Sequence, residues 1–158
     1  MEISNCVNKN VAIEKINAAQ PKLNAVVTMV DEADNTKEGK LSGVPVALKD
    51  NISTCGIRTT ASSRILDNYV PVYDATIVKK LREAGADFVC KASMDELGMG
   101  GTNKNAYTGA VHNPYDLDRI PGGSSGGCAA FRQFLSVQRL ESNLVLLVAG
   151  RCSSTETI

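Results

Sequence analysis

An alternation of strand, helix and strand in the middle of the chain constrains the fold most. The apolar run 43–48 predicts a buried strand, and Lys49 and Asp50 follow it directly. Apolar residues on one helical face predict a helix over 74–85, and the run 88–90 predicts a second buried strand. This order is typical of an α/β protein whose helices pack on a mixed or largely parallel sheet. Ligands of such sheets usually bind at the carboxyl ends of strands, where Lys49 lies.

Weaker patterns flank this central region. We expect a helix over 10–19 that Pro21 closes, and a β-branched strand over 23–30. Asp74 is the expected N-cap of the central helix. Apolar residues from Phe131 onward are compatible with one more helix.

Composition limits the classes of function. The 158 residues have a formal net charge of zero and no basic stripe, which is unlike a nucleic-acid-binding surface. The five cysteines are widely spaced and show no zinc-binding spacing, which favours free thiols in a reducing compartment. The first residues lack the apolar region of a signal peptide, and the apolar stretch 144–149 is far shorter than the roughly 20 residues of a membrane span. We expect a soluble, cytoplasmic protein.

Lys49 is the first candidate for chemistry. A lysine at the end of a buried strand is partly desolvated, which lowers its pKa by disfavouring the charged form. A neutral lysine is a competent general base near neutral pH. The alternative is a surface lysine paired with Asp50, and Lys49 considered by itself favours this alternative.

The second candidate is the segment 121–127, Pro-Gly-Gly-Ser-Ser-Gly-Gly. Its glycines allow the backbone to approach a ligand closely, and its two serines can donate hydrogen bonds or relay protons. A flexible Gly/Ser linker and a phosphate-binding loop are the alternatives. The Walker loop is excluded because no lysine follows the glycines. The segment alone does not separate linker, phosphate loop and catalytic loop.

His112 is the only histidine of the chain, and no nucleophile-elbow motif accompanies it. We therefore do not expect a histidine-based triad. One histidine without a spaced set of carboxylates also predicts no metal site.

Several segments together resemble the amidase-signature family. They occur in the family's order over residues 43–127, and more loosely from about residue 8; the ordered set is specific although each segment alone is weak. The matching segments are 43–51 (GVPVALKDN), 58–60 (RTT), 74–76 (DAT), 84–86 (AGA), 94–99 (MDELGM), 113–115 (NPY) and 121–127 (PGGSSGG). The resemblance implies a partial, truncated amidase-signature fold, an α/β mixed sheet flanked by helices.

The resemblance also implies a Ser–Ser–Lys triad, with Lys49 as the base. Ser124 would follow a cis peptide bond and pass a proton between the lysine and the nucleophile. Ser125 would support the loop by hydrogen bonding. The supporting glycines of the loop would be Gly122, Gly123, Gly126 and Gly127.

The chain departs from the family after the loop. The family's nucleophilic serine lies about two dozen residues beyond the relay serine, in a Gly-Ser-Asp-Thr-Gly-Gly-Ser-type segment that also forms the oxyanion hole. Val148 stands near that place here. We therefore divide the chain into residues 1–127, the N-terminal part of an amidase-signature domain, and a divergent tail 128–158, for which a frameshift is one explanation.

Within the family, segments 58–60 and 94–99 look most like the A subunits of tRNA-dependent amidotransferases. Such proteins hydrolyse glutamine and supply ammonia for amidation of glutamate on tRNA(Gln). The resemblance implies B and C subunits as partners, with tRNA bound through the B subunit. It implies no cofactor or metal in this chain, with ATP and Mg²⁺ used on the partner. A stand-alone amidase of the family and a non-catalytic fragment are the alternatives.

Overall fold

The computed structural model describes residues 9–32, 35–137 and 146–148, and it confirms the predicted α/β class. Three α-helices, two short 3₁₀ helices (Arg64–Leu66 and Glu96–Gly98) and four strands are present in these residues. The α-helices are α1 (Lys9–Leu23), α2 (Thr76–Glu83) and α3 (Gly126–Val137), and the strands are β1 (Val26–Met29), β2 (Pro45–Lys49), β3 (Asp87–Ala92) and β4 (Leu146–Val148).

The strands form one mixed sheet in the order β1-β3-β2-β4. Strand β2 runs parallel to both of its neighbours, whereas β1 is antiparallel to β3. Every residue of β2 and β3 is buried, as expected for inner strands that are covered on both faces. Lys49 is the last residue of β2, so the sheet itself places this side chain.

Helices cover both faces of the sheet. One apolar cluster joins α1 and α3 to Ala47 of β2, and the other joins α2 to Val46 and Leu48. Because successive strand residues point to opposite faces, Lys49 shares the face of Ala47, on the side of α3. Leu48 pairs with Lys91 of β3, which puts Lys91 on the opposite face, on the side of α2.

The start of α2 differs from the prediction. Ala75, and not Asp74, is the N-cap, and no side chain caps this helix end. The carboxylate of Asp74 accepts instead from the backbone N–H of Cys55 at 2.7 Å and from Nε of Arg82 at 3.1 Å. These two longer-range contacts replace the local cap. The expected stop is confirmed, since Gly85 follows the helix with φ +89°.

Pro21 does not close the first helix as expected, because α1 continues to Leu23. A proline in the last turn removes only one intrahelical hydrogen bond, and Leu23 at 2% exposed gains burial in the core. The Gln20 side chain then accepts from the N–H groups of Ala25 and Val26, at 3.0 and 2.9 Å, and directs the chain into β1.

None of the helices in the described residues is long and apolar enough to cross a lipid bilayer.

Candidate active site

Lys49 and Ser124 meet at the carboxyl end of β2. The Lys49 side chain is 3% exposed, and its Nζ donates to Oγ of Ser124 at 2.8 Å. The two residues are 75 positions apart in sequence, so only the folded chain creates this pair. Asp50 does not hold Lys49 on the surface, as the alternative interpretation required. It is fully buried and accepts from the N–H groups of Thr60 and Ser62.

The glycine-rich segment is an ordered loop that leads into α3. Its Gly123–Ser124 peptide bond is cis, as the resemblance implies. Ser124 is partly buried, whereas Ser125 is 1% exposed and its carbonyl accepts from Ala129 N–H at 3.0 Å in the first turn of the helix. The loop is therefore not a flexible linker.

Close packing explains why glycines occupy this loop. A Cβ atom on Gly123 would lie 2.7 Å from the carbonyl carbon of Gly101 and closer still to Oδ2 of Asp95. A Cβ atom on Gly126 would lie 2.6 Å from Cβ of Asn103. Real Cβ atoms essentially never approach other atoms this closely. The loop backbone thus fits directly against neighbouring residues, with no space for a side chain.

Asp95 is a site residue that sequence reasoning did not single out. Its backbone N–H donates to the carbonyl of Ser124 at 3.0 Å, and its Oδ1 accepts from the N–H of Asn103 at 2.9 Å. The side chain is fully buried, and its Oδ2 has no hydrogen-bond partner among the described residues. Asp95 lies in segment 94–99, so the resemblance marked the segment without indicating a role for this residue.

Lys91 lies on the other face of the sheet and is fully buried. Its Nζ donates to the carbonyl of Ile52 at 2.6 Å, to Oγ1 of Thr54 at 3.2 Å and to Oγ1 of Thr59 at 2.8 Å. Burial lowers the pKa of Lys91 to about 8, although the carboxylate of Asp50 acts in the opposite direction. Burial raises the pKa of Asp50, opposed by hydrogen bonds from Thr60 and Ser62 and by Lys91. Lys91 thereby ties the segment after β2 to β3.

Two other sequence features concern His112 and Val148. His112 uses its ring Nδ1 to contact the carbonyl of Leu117 at 2.8 Å. Val148, near the expected place of the nucleophile, pairs with Leu48 in β4. The rest of that segment lies outside the described residues. In the described part of the chain, His, Cys, Asp and Glu form no group of three or more that could hold a metal ion.

The sequence matches the Amidase family model over residues 10–131. It is 50% identical over 123 residues to the A subunit of glutamyl-tRNA(Gln) amidotransferase from Lactobacillus acidophilus, and the match covers 75% of this chain and 26% of that relative. This chain therefore spans about a quarter of the relative's length.

Solved structures agree with this result. The crystal structure of the glutamyl-tRNA(Gln) amidotransferase A subunit from Thermotoga maritima superposes with a TM-score of 0.74 at 47% identity, over 77% of this chain and 27% of the other. Peptide amidase from Stenotrophomonas maltophilia superposes with a TM-score of 0.70 at 31% identity, over 77% and 29%. Sequence and fold lead to the same assignment: the chain belongs to the amidase family.

Proposed function

We propose that this chain is part of the A subunit of a glutamyl-tRNA(Gln) amidotransferase, in which it contributes Lys49 and Ser124 to a glutamine-splitting centre. The observation that carries the proposal is the 2.8 Å contact between Nζ of Lys49 and Oγ of Ser124. Relatives that bear this name, at 50% and 47% identity, support the choice of substrate class.

In this proposal Lys49 is the general base. Lys49 is 3% exposed, and its neutral amine is the form that accepts a proton. Ser124 passes the proton from the acyl nucleophile to Lys49. The Asp95 N–H fixes the carbonyl of Ser124, and Ser125 supports the loop from its buried position. Glutamine would be split to glutamate and ammonia.

We propose that this chain lacks the acyl nucleophile of such a centre. Val148 lies near the place expected for the family's serine and pairs with Leu48 in the sheet. Without that serine no glutamyl-enzyme forms at its place, and an oxyanion-hole donor alone contributes about 10²–10³ in rate. We predict that the purified 158-residue chain releases no ammonia from glutamine. Glutamine hydrolysis that disappears in Ser124→Ala would contradict this prediction.

A chimera tests the centre itself. Residues 1–127 would be joined to the remainder of the Lactobacillus acidophilus relative and assembled with that organism's B and C subunits. We expect glutamine hydrolysis that Lys49→Met lowers by at least about 100-fold, since general-base catalysis contributes 10²–10⁴-fold. The exposed Lys80→Met is the matched control and should leave the rate unchanged. Equal rates in Lys49→Met and Lys80→Met would exclude Lys49 as the base.

The tail 128–158 has its own test, because we propose that it results from a frameshift. Sequencing of the genomic DNA across these codons decides the matter. A Gly-Ser-Asp-Thr-Gly-Gly-Ser-type segment in another reading frame would support the proposal. A confirmed present frame with no such segment beyond it would contradict it.

The proposed partners are the B and C subunits, in the cytoplasm. The formal net charge of zero is consistent with tRNA bound by the B subunit. We place ATP and Mg²⁺ on that partner too, with no cofactor in this chain. Co-purification with a B subunit would favour this assignment, whereas amide hydrolysis without any partner would favour a stand-alone amidase. The 31% identity to peptide amidase, against 50% to the amidotransferase relative, supports the former.

A further inference from the structure

The Lys49–Ser124 pair has the geometry of a nucleophile and its base. A serine hydroxyl becomes a competent nucleophile when a basic group lies within hydrogen-bond reach, and serine–lysine pairs act in this way without histidine. Here Oγ of Ser124 is 2.8 Å from Nζ of Lys49. Lys49 is 3% exposed, whereas Ser124 is only partly buried.

The backbone around Ser124 supplies two further elements. The carbonyl of Ser124 is held by the N–H of Asp95 at 3.0 Å, so the loop is fixed on the carboxyl side of the serine. Helix α3 begins at Gly126, two residues later, and a helix N-terminus carries a partial positive charge. The N–H of Gly126 has no hydrogen-bond partner among the described residues, whereas that of Gly127 donates to Ser93.

We propose that Ser124, with Lys49 as its base, is itself an acyl acceptor for small activated carboxylic esters. This activity goes beyond the proposed function, in which Ser124 relays a proton and is not acylated. It also needs no residue beyond those that the structure describes.

The step balances for p-nitrophenyl acetate. The hydroxyl proton of Ser124 moves to the neutral amine of Lys49, and Oγ forms a bond to the acetyl carbon. The bond from that carbon to the phenol oxygen breaks, and p-nitrophenolate leaves with the electron pair. Lys49 releases its proton to solvent, and water can later hydrolyse the acetyl-serine to acetate with Lys49 again as base.

Activated esters are the matched substrates for this pair. A nitrophenolate departs without a proton, whereas the nitrogen of an amide must be protonated before it leaves. Acylation by an activated ester therefore depends only on the attack of Ser124 with Lys49 as its base.

The experiment treats the full 158-residue chain with p-nitrophenyl acetate. It follows nitrophenolate release by absorbance and maps the acetyl group by peptide mass spectrometry. We expect a burst of nitrophenolate and an acetyl group on Ser124. The Ser124→Ala variant retains every cysteine and surface lysine, so it measures the background. Lys49→Met should slow acetylation of Ser124 by at least about 100-fold. Ser53→Ala changes another partly buried serine, whose hydroxyl lies 3.5 Å from that of Tyr73, and should leave the rate unchanged.

Acetyl groups found only on lysines or cysteines would overturn the proposal. So would acetylation of Ser124 at an undiminished rate in a folded Lys49→Met protein, with folding checked by circular dichroism. If Lys49→Met does not fold, the map of the wild-type chain decides: an acetyl group on Ser124 supports the proposal and its absence overturns it. Neither result bears on glutamine splitting by the chimera, so the two proposals fail separately.

Discussion

Two buried lysines at the ends of neighbouring strands are held in different ways. On one face of the sheet, Lys49 contacts the partly buried hydroxyl of Ser124, which lies on a loop packed tightly by its glycines. On the other face, Lys91 donates to one carbonyl and two threonine hydroxyls, all within the segment that follows β2. Burial of the amine is similar on the two faces, at 3% and 0% exposed.

The difference shows that two equally buried lysines can have different kinds of partner. An amine whose three donors all point to protein acceptors acts as a structural tie. Lys49 instead contacts a hydroxyl that is only partly buried. The packing around Lys49 depends on shape, because the glycines of the loop leave no room for a side chain. The packing around Lys91 depends on hydrogen bonds.

The largest expected effect tests the tight packing of the glycine-rich loop. Gly123→Ala should lower the free energy of unfolding by about 3 kcal/mol, because the added methyl group overlaps backbone atoms of Gly101 and the side chain of Asp95. Urea denaturation measures the change. Gly43→Ala is the control, since its Cβ would meet no atom within 4 Å and only the φ of +71° is unfavourable, at about 1 kcal/mol. Equal losses at both positions would mean that the loop adapts to the extra atom.

The next effect tests the hydrogen bonds of the other face. Lys91→Met should lower the free energy of unfolding by about 2 kcal/mol, because Ile52, Thr54 and Thr59 lose a donor in a buried place. The exposed Lys80→Met should change it by less than about 0.5 kcal/mol. Acetylation of Ser124 should persist in folded Lys91→Met protein. Loss of that reaction would show that the two faces are not independent.

The smallest effect, expressed per pH unit, is the dependence of stability on pH. Burial lowers the pKa of Lys91 from 10.5 to about 8. Between these values the unfolded chain keeps a proton that the folded chain has lost, so the free energy of unfolding rises with pH. The slope is at most about 1.4 kcal/mol per pH unit. Below pH 8 both states are protonated and this contribution is constant.

The buried thiol of Cys90 acts in the opposite direction, because burial raises its pKa. The measurement is therefore the difference in unfolding free energy between wild type and Lys91→Met, since both proteins contain Cys90. This difference should increase in favour of wild type from about pH 8 to about pH 10. A difference that stays flat would show that Lys91 is not titrating in the folded protein.

The sequence predicted the elements that depend on local pattern. The strand ending at Lys49, the central helix and its glycine stop all follow from apolar spacing and from Gly85. The resemblance paired Lys49 with Ser124 and implied the cis bond before Ser124. The roles of these two residues in catalysis are still predictions.

Contacts between distant segments could not be predicted in this way. Asp95 and Asn103 acquire their places only because the segment 94–103 folds against the glycine-rich loop. Lys91 belongs to a run that reads as an ordinary short strand, and its three acceptors lie 32 to 39 residues away. The predicted helix boundaries at Asp74 and Pro21 are wrong for the same reason, because packing outweighs the local preference at each residue.

The tight fit of Gly100, Gly123, Gly126 and Gly127 has a consequence for the gene. Every amino acid except glycine carries a Cβ atom, so each missense mutation at these four codons introduces the same overlap, whatever residue it encodes. Silent third-base changes are therefore the only substitutions that leave the packing here unaltered. In a collection of random variants selected for a folded product, these codons should show synonymous changes almost alone, while the open position Gly43 accepts replacements.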